Sequence, residues 1–384
     1  MEETTMIEET TAMEETTAME ETTAMEETTA MEETTAIEET TTMEETPVVE
    51  QALDPKQIRR KGLRRQGNIQ GATLLIYMAI MNVAATVVMS AAVVLQVVLD
   101  ILRSDSMLDV NEELFDRLLD SAMTASGWGY LLTMAIGLVI LLLWKKPKYI
   151  RNTIFASGRK MPIGSFLLLT VIFLTGQQLY QWWYMLLDLL ARISGISLDV
   201  ILESGSVDTN TIPMFLYVCF LGPIAEEVLF RGLVLRSLQP YGKKFAIFMS
   251  ALLFGLFHGN VMQVPFAFVV GLVMGYVAVE YNIYWAIVLH IINNFVIADL
   301  LPRLFEYLPV GMGDNILSIF LLACTVATAI ILIVRRRDVG DYWRENATEK
   351  GTYKTFFRTP VMIIFMVIIG LTIISSPLAL LLIP

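Results

Sequence analysis

The chain has 384 residues, 55% of them hydrophobic, with a mean hydropathy of +0.59 and a net charge of −12. That apolar content excludes an ordinary soluble domain and points to a polytopic membrane protein. The charge excludes little: residues 1–46 hold 16 glutamates and no lysine or arginine, and the remaining 23 acidic and 27 basic side chains leave the rest of the chain at +4.

Residues 1–46 repeat a six-residue unit, as in Met13-Glu14-Glu15-Thr16-Thr17-Ala18. Six matches neither a heptad nor a helical period, and like charges repel along the tract, so a disordered acidic tail is expected. It lacks the apolar core of a cleavable signal peptide, which leaves the first hydrophobic span to direct insertion. Residues 47–70 switch to basic, with Lys56, Arg59, Arg60, Lys61, Arg64 and Arg65, and read as a juxtamembrane segment suited to anionic lipid heads.

Residues 71–384 read as an all-α transmembrane domain of eight to nine spans, at roughly 72–99, 128–144, 164–187, 213–235, 244–258, 262–279, 283–300, 316–334 and 360–382. The loops alternate in charge. The 100–127 segment is acidic, 145–160 is basic (Lys145, Lys146, Lys148, Arg151, Arg159, Lys160), 188–212 leans acidic, Arg236, Lys243 and Lys244 are basic, and Arg335, Arg336 and Arg337 follow the eighth span. Nine spans with a cytoplasmic N-terminus, in a multi-pass protein of the cell membrane, satisfy every loop under the positive-inside rule. The fifth span is ~22 Å of helix, shorter than the ~30 Å hydrocarbon layer, and is followed by Gly259-Asn260, so it is expected to stop short and line a cavity. Cys219 and Cys324 lie in apolar runs and read as small core residues.

The chain's two histidines, His258 and His290, both fall in these apolar spans, and a third span carries Glu226 and Glu227 with Arg231 four residues on. Ionisable groups at bilayer depth are costly unless paired or hydrated, and mark function by default. On a helix Glu227 and Arg231 share a face and can pair, while Glu226 points ~100° away toward another helix. His290 and Asn294 are also four apart on one face, with Asn293 on a neighbouring one. Taken singly, these are a structural salt bridge, a structural histidine and a polar packing pair. Taken together, at ~1.5 Å per residue from the cytoplasmic helix ends, Glu226 lies ~15 Å deep, His258 ~21 Å, His290 ~12 Å and Asn294 ~18 Å, which is one layer.

The chemistry this material allows is water activation. There is no HExxH, phosphate loop, dinucleotide fingerprint or Ser-His-Asp set, and Gly127-Trp128-Gly129 contains no nucleophile. A poorly hydrated carboxylate holds a proton more tightly, which suits a general base. Glu226 and His258 could polarise one water while His290 and Asn294 donate to an oxyanion. Alternatively Glu226, His258 and His290 could bind Zn²⁺ with water as fourth ligand, although the histidines lack the close spacing usual for zinc. A non-catalytic membrane scaffold or immunity protein using its cavity to bind a peptide or lipid, and a proton-coupled transporter, are the competing readings.

The three motifs, Glu226-Glu227-x-x-x-Arg231, Phe254-x-x-x-His258 and His290-x-x-x-Asn294, stand in order on separate spans over residues 210–300. In this they resemble the CPBP family of CAAX prenyl proteases and bacteriocin-processing (Abi) enzymes. The resemblance implies an intramembrane endopeptidase. It gives water activation to Glu226 and His258, oxyanion stabilisation to His290 and Asn294, and supporting roles to Glu227, Arg231 and Phe254. Substrate access would be cytoplasmic and the partner a peptide or membrane protein, with no part for nucleic acid. The family contains enzymes called metalloproteases, so zinc stays open, and some members process or confer immunity to small peptides rather than prenylated tails.

Overall fold

A computed structural model of the chain describes residues 54–103, 112–194 and 209–380. The acidic repeat 1–46 lies outside the described residues, as does the start of the 47–70 segment. All the described secondary structure is helical. Helix α1 is Pro55–Arg103, α2 Glu112–Trp144, α3 Ile163–Ser194, α4 Ile212–Tyr241, α5 Lys243–Phe257, α6 Gln263–Glu280, α7 Ile283–Phe305, α8 Met312–Val334, α9 Arg336–Glu345, α10 Thr352–Phe357 and α11 Pro360–Leu380.

Each of the nine expected spans is a helix. Seven of them (α1 to α4 and α6 to α8) are long and apolar enough to cross a membrane, while α5 has only 15 residues and α11 is a shorter apolar helix through Ser375. Boundaries differ where polar helix extends past the apolar run. The basic segment is helical from Pro55 and continuous with α1. Helix α2 starts at Glu112, sixteen residues before its expected apolar start, because Glu113 and Asp100 both pair with Arg117, at 2.8 and 3.5 Å. Helices α9 and α10 fold the expected loop between the last two spans.

The helices pack through small residues. Between apolar helices in lipid there is no hydrophobic drive to associate, so close backbone approach and dispersion contacts decide the pairing. A Cβ on Gly71 of α1 would sit 2.9 Å from the backbone of Val361 and Met362 in α11, and one on Gly129 of α2 would sit 2.7 Å from Ala85 Cα in α1. The buried centre is α4, α5 and α6: Phe230, Val234, Met249, Leu253, Phe254 and Met274 are almost fully covered. The outer faces of α1 and α8 expose Val83, Val87, Val94, Ile319 and Ile330, the side chains a bilayer would cover.

Helix α5 ends at Phe257, with His258 as its C-cap. Gly259 has φ of +64°, the left-handed region that only glycine enters freely, and turns the chain back into α6. The turn lies inside protein: Asn260 and Met262 are buried, the Asn260 side chain accepts from Met262 N–H at 2.7 Å, and Trp183 Nε1 of α3 donates to the Val261 carbonyl at 3.0 Å. Non-helical backbone among apolar spans is tolerated on that condition.

The basic regions gather at one end. Arg59 reaches the Tyr241 carbonyl at 3.2 Å and Glu349 at 3.3 Å, Lys243 and Tyr342 both bond Glu280 at 2.9 Å, Lys244 lies 3.3 Å from the centre of the Trp343 ring, and Arg159 lies over Tyr281. At the other end Asp299 is held by Arg303 and Thr209. Gly71→Val should lower stability by about 1–3 kcal/mol through overpacking at the α1–α11 crossing. Thermal unfolding in detergent reads this, with Gly370→Ala, where no atom lies within 4 Å, expected to be neutral.

Candidate active site

Proline shapes the helix that carries the acids. In α4 the stretch Tyr217–Leu221 is π-helical, Gly222–Glu227 is α-helical and Val228–Leu235 is π-helical again. Gly222 N–H bonds the Tyr217 carbonyl five residues back. The next donor in that register would be residue 223, a proline with no N–H, so the Val218 carbonyl is left without a helical partner. Helix α7 does likewise, running α-helical to Ile291 and π-helical from Ile292 to Leu300, before Pro302. Such π segments shift side chains relative to a regular helix and are frequent at functional sites.

Glu227 and Arg231 are both fully buried and joined at 2.7 Å. Their partners extend the pair into a hub. Glu227 Oε1 also receives His290 Nδ1 at 3.0 Å, Arg231 Nη2 donates to the Gly271 carbonyl of α6 at 3.2 Å, and the guanidinium carbon lies 4.4 Å from the centre of the Phe254 ring. Glu227 Oε2 and Arg231 Nε have no hydrogen-bond partner among the described residues, so within these the hub is bonded along one edge. Phe254 is the common wall, with both imidazoles standing edge-on to it, His258 at 4.9 Å and His290 at 5.6 Å between ring centres.

Glu226 takes the other direction. Its side chain is 26% exposed against none for Glu227, and its Oε2 lies 3.6 Å from His290 Nε2. Both nitrogens of His290 therefore face carboxylate oxygens. The doubly protonated ring satisfies both contacts, and the singly protonated ring satisfies one. His258 Nδ1 lies 2.9 Å from the Phe254 carbonyl, which can only accept, so Nδ1 is the donor of that bond and Nε2 is the nitrogen left for another partner.

Asn294 fills the gap that Pro223 leaves. Its Nδ2 donates to the Val218 carbonyl at 2.9 Å, tying α7 to α4 nine residues before Glu227. Asn293 donates to Asn294 Oδ1 at 2.9 Å and accepts from Gln177 Nε2 of α3 at 2.7 Å. The geometry thus unites Glu226, Glu227, Arg231 and His290 directly, sets His258 and His290 both against the Phe254 ring, and anchors Asn294 on the helix of the acids. Among the described residues no three His, Cys, Asp or Glu side chains are gathered as a metal site.

An apolar cavity of about 400 Å³ lies against the stretch of α4 that carries Glu226, although Glu226 itself is not in its lining. Its walls come from α1 (Thr73, Ile76, Tyr77), α2 (Gly137, Leu141, Trp144) and α4 (Ile224, Ala225, Val228). Tyr77, and Tyr217 of α4, are close enough to Glu226 to feel its charge. Neither tyrosine carried a sequence signal, because each is one aromatic in an apolar run.

Removing one partner of a buried ion pair strands the other charge, at a cost of about 3–5 kcal/mol. Arg231→Leu should therefore lower the thermal midpoint in detergent far more than an exposed-pair change such as Arg335→Leu, whose partner Asp338 is solvent-accessible.

Residues 208–296 match the family model described as type II CAAX prenyl endopeptidase Rce1-like, a segment that holds the whole constellation from Glu226 to Asn294. No curated protein and no solved structure matches the chain. With seven membrane-length apolar helices among its described residues, the chain is a multi-pass membrane protein whose residues 208–296 match the Rce1-like family model.

Proposed function

We propose that this protein is an intramembrane endopeptidase that hydrolyses a peptide bond by general-base activation of water. The observation that carries the reading is the division of labour between adjacent acids: Glu227 is consumed by Arg231 and His290, while Glu226 is partly exposed and in contact with the far nitrogen of His290. A structural salt bridge explains Glu227 and Arg231 but leaves Glu226 unexplained.

In the proposed mechanism Glu226 takes the proton of a water that His258 Nε2 helps to orient. The water oxygen adds to the substrate carbonyl, forming a tetrahedral oxyanion. His290, protonated on the nitrogen nearest Glu226, and the second N–H of the Asn294 amide donate to that oxyanion. Glu226 returns the proton to the departing amine as the C–N bond breaks. Glu227 and Arg231 hold His290 and the α4 face in place, and Phe254 spaces the two imidazoles. No step is routed through a metal. The apolar cavity takes the apolar flank of a peptide or membrane-protein substrate, placing the scissile bond against Glu226. The match to a family described as CAAX prenyl endopeptidases supports both the reaction class and a membrane-associated substrate. The end of the molecule where the basic segments gather is the cytoplasmic one, which puts the N-terminus inside.

Detergent-purified protein and a quenched peptide library, offered with and without a prenylated cysteine, test the reading. Glu226→Ala and His258→Ala should each lower kcat by at least about 10²-fold, the usual worth of a positioned acid or base, without a change in thermal midpoint. Wild-type cleavage in both variants would leave binding, not catalysis, as the role of this site. The same assay after exhaustive chelation should retain full activity.

A further inference from the structure

We infer that Gln177, on α3, is a positioning residue that fixes the orientation of the Asn294 amide through a one-way relay of hydrogen bonds; the inference rests on the catalytic reading above. The relay takes its polarity from the Val218 carbonyl, which the missing N–H of Pro223 leaves open. A carbonyl only accepts, so the Asn294 NH₂ must face it, and does so at 2.9 Å. Asn294 Oδ1 then points away from α4 and needs a donor. Asn293 Nδ2 supplies it at 2.9 Å, and the Asn293 carbonyl oxygen in turn takes Gln177 Nε2 at 2.7 Å.

Every member donates toward α4, so no single amide can turn over without setting oxygen against oxygen. Asn293 is buried, so water is a poor substitute donor there. Gln177 is the terminal donor. Remove it and the Asn293 carbonyl has no partner, which frees Asn293 and Asn294 to rotate as a pair and to withdraw the Asn294 N–H from the reacting carbonyl. The residue touches no reacting atom. It acts on the reaction only through the direction in which Asn294 is held.

Two substitutions separate this role from simple α3–α7 packing. Gln177→Leu keeps the volume and removes the donor; kcat should fall about tenfold to a hundredfold, the scale expected for a misplaced group, with KM within about twofold of wild type and the thermal midpoint retained. Gln177→Glu keeps the shape but, when ionised, can only accept, which reverses the relay. Its activity relative to wild type should be low at neutral pH and should rise as pH falls, because the protonated acid donates as the amide did. A packing role predicts no such relative pH limb. Gln177→Leu with wild-type kcat, or Gln177→Glu with a pH profile parallel to wild type, overturns the relay. Glu226→Gln, run alongside, distinguishes the two failures: if it is inactive while both Gln177 variants behave as wild type, the relay alone falls, and if it is fully active the catalytic reading falls and the relay with it.

Discussion

One carboxylate oxygen organises the middle of this molecule. Glu227 Oε1 accepts from Arg231 on its own helix and from His290 on α7, with Glu227 and Arg231 both out of contact with solvent. In an apolar interior neither the carboxylate nor the guanidinium is tolerable alone, and each contact that satisfies one constrains the other. Arg231 is thereby drawn to the Gly271 carbonyl and to the face of Phe254, which fixes α6 and α5 against α4. The position of His290, whose Nε2 lies 3.6 Å from Glu226 Oε2, follows from the same oxygen.

Pro223 acts as a complement to this hub. Pro223 deprives α4 of one backbone donor, and the π turn before it directs the loss to Val218. An unpartnered carbonyl inside a bundle must find a donor from elsewhere, and Asn294 is that donor. Charge at Glu227 and a missing N–H at Pro223, four residues apart on one helix, thus bind α7 at two points. Two points fix rotation as well as position, and a catalytic histidine and amide need both.

Much of this was legible in the sequence. The apolar runs gave the helices, since period and length decide whether a segment can cross lipid, and the different environments of Glu226 and Glu227 followed from the 100° step between neighbours on a helix. The four-residue spacings of Glu227 to Arg231 and of Phe254 to His258 survive as a salt bridge and as an imidazole bonded to the carbonyl a turn below. What the sequence did not reveal lies between helices. Gln177 is one glutamine in a span with others nearby, and nothing local shows that it meets Asn293, 116 residues on. The π segments were invisible because their cause is the proline together with packing around it. The simple four-residue pairing of His290 with Asn294 was correspondingly too regular: the register changes at Ile292, and Asn293 joins the network. The extended start of α2 was missed because its acids looked like loop, when they are paired across to α1.

The chain's two histidines make the central claim directly measurable, since protein labelled with ¹⁵N-histidine gives two ring systems and no others. The account predicts that His258 carries its proton on Nδ1 with Nε2 bare, that His290 is protonated on Nδ1, and that Glu227→Gln shifts the ring signals of His290 while leaving those of His258 in place. A His290 ring indifferent to Glu227→Gln, or bare at Nδ1, would show that the hub does not hold it, and the site described here would not exist.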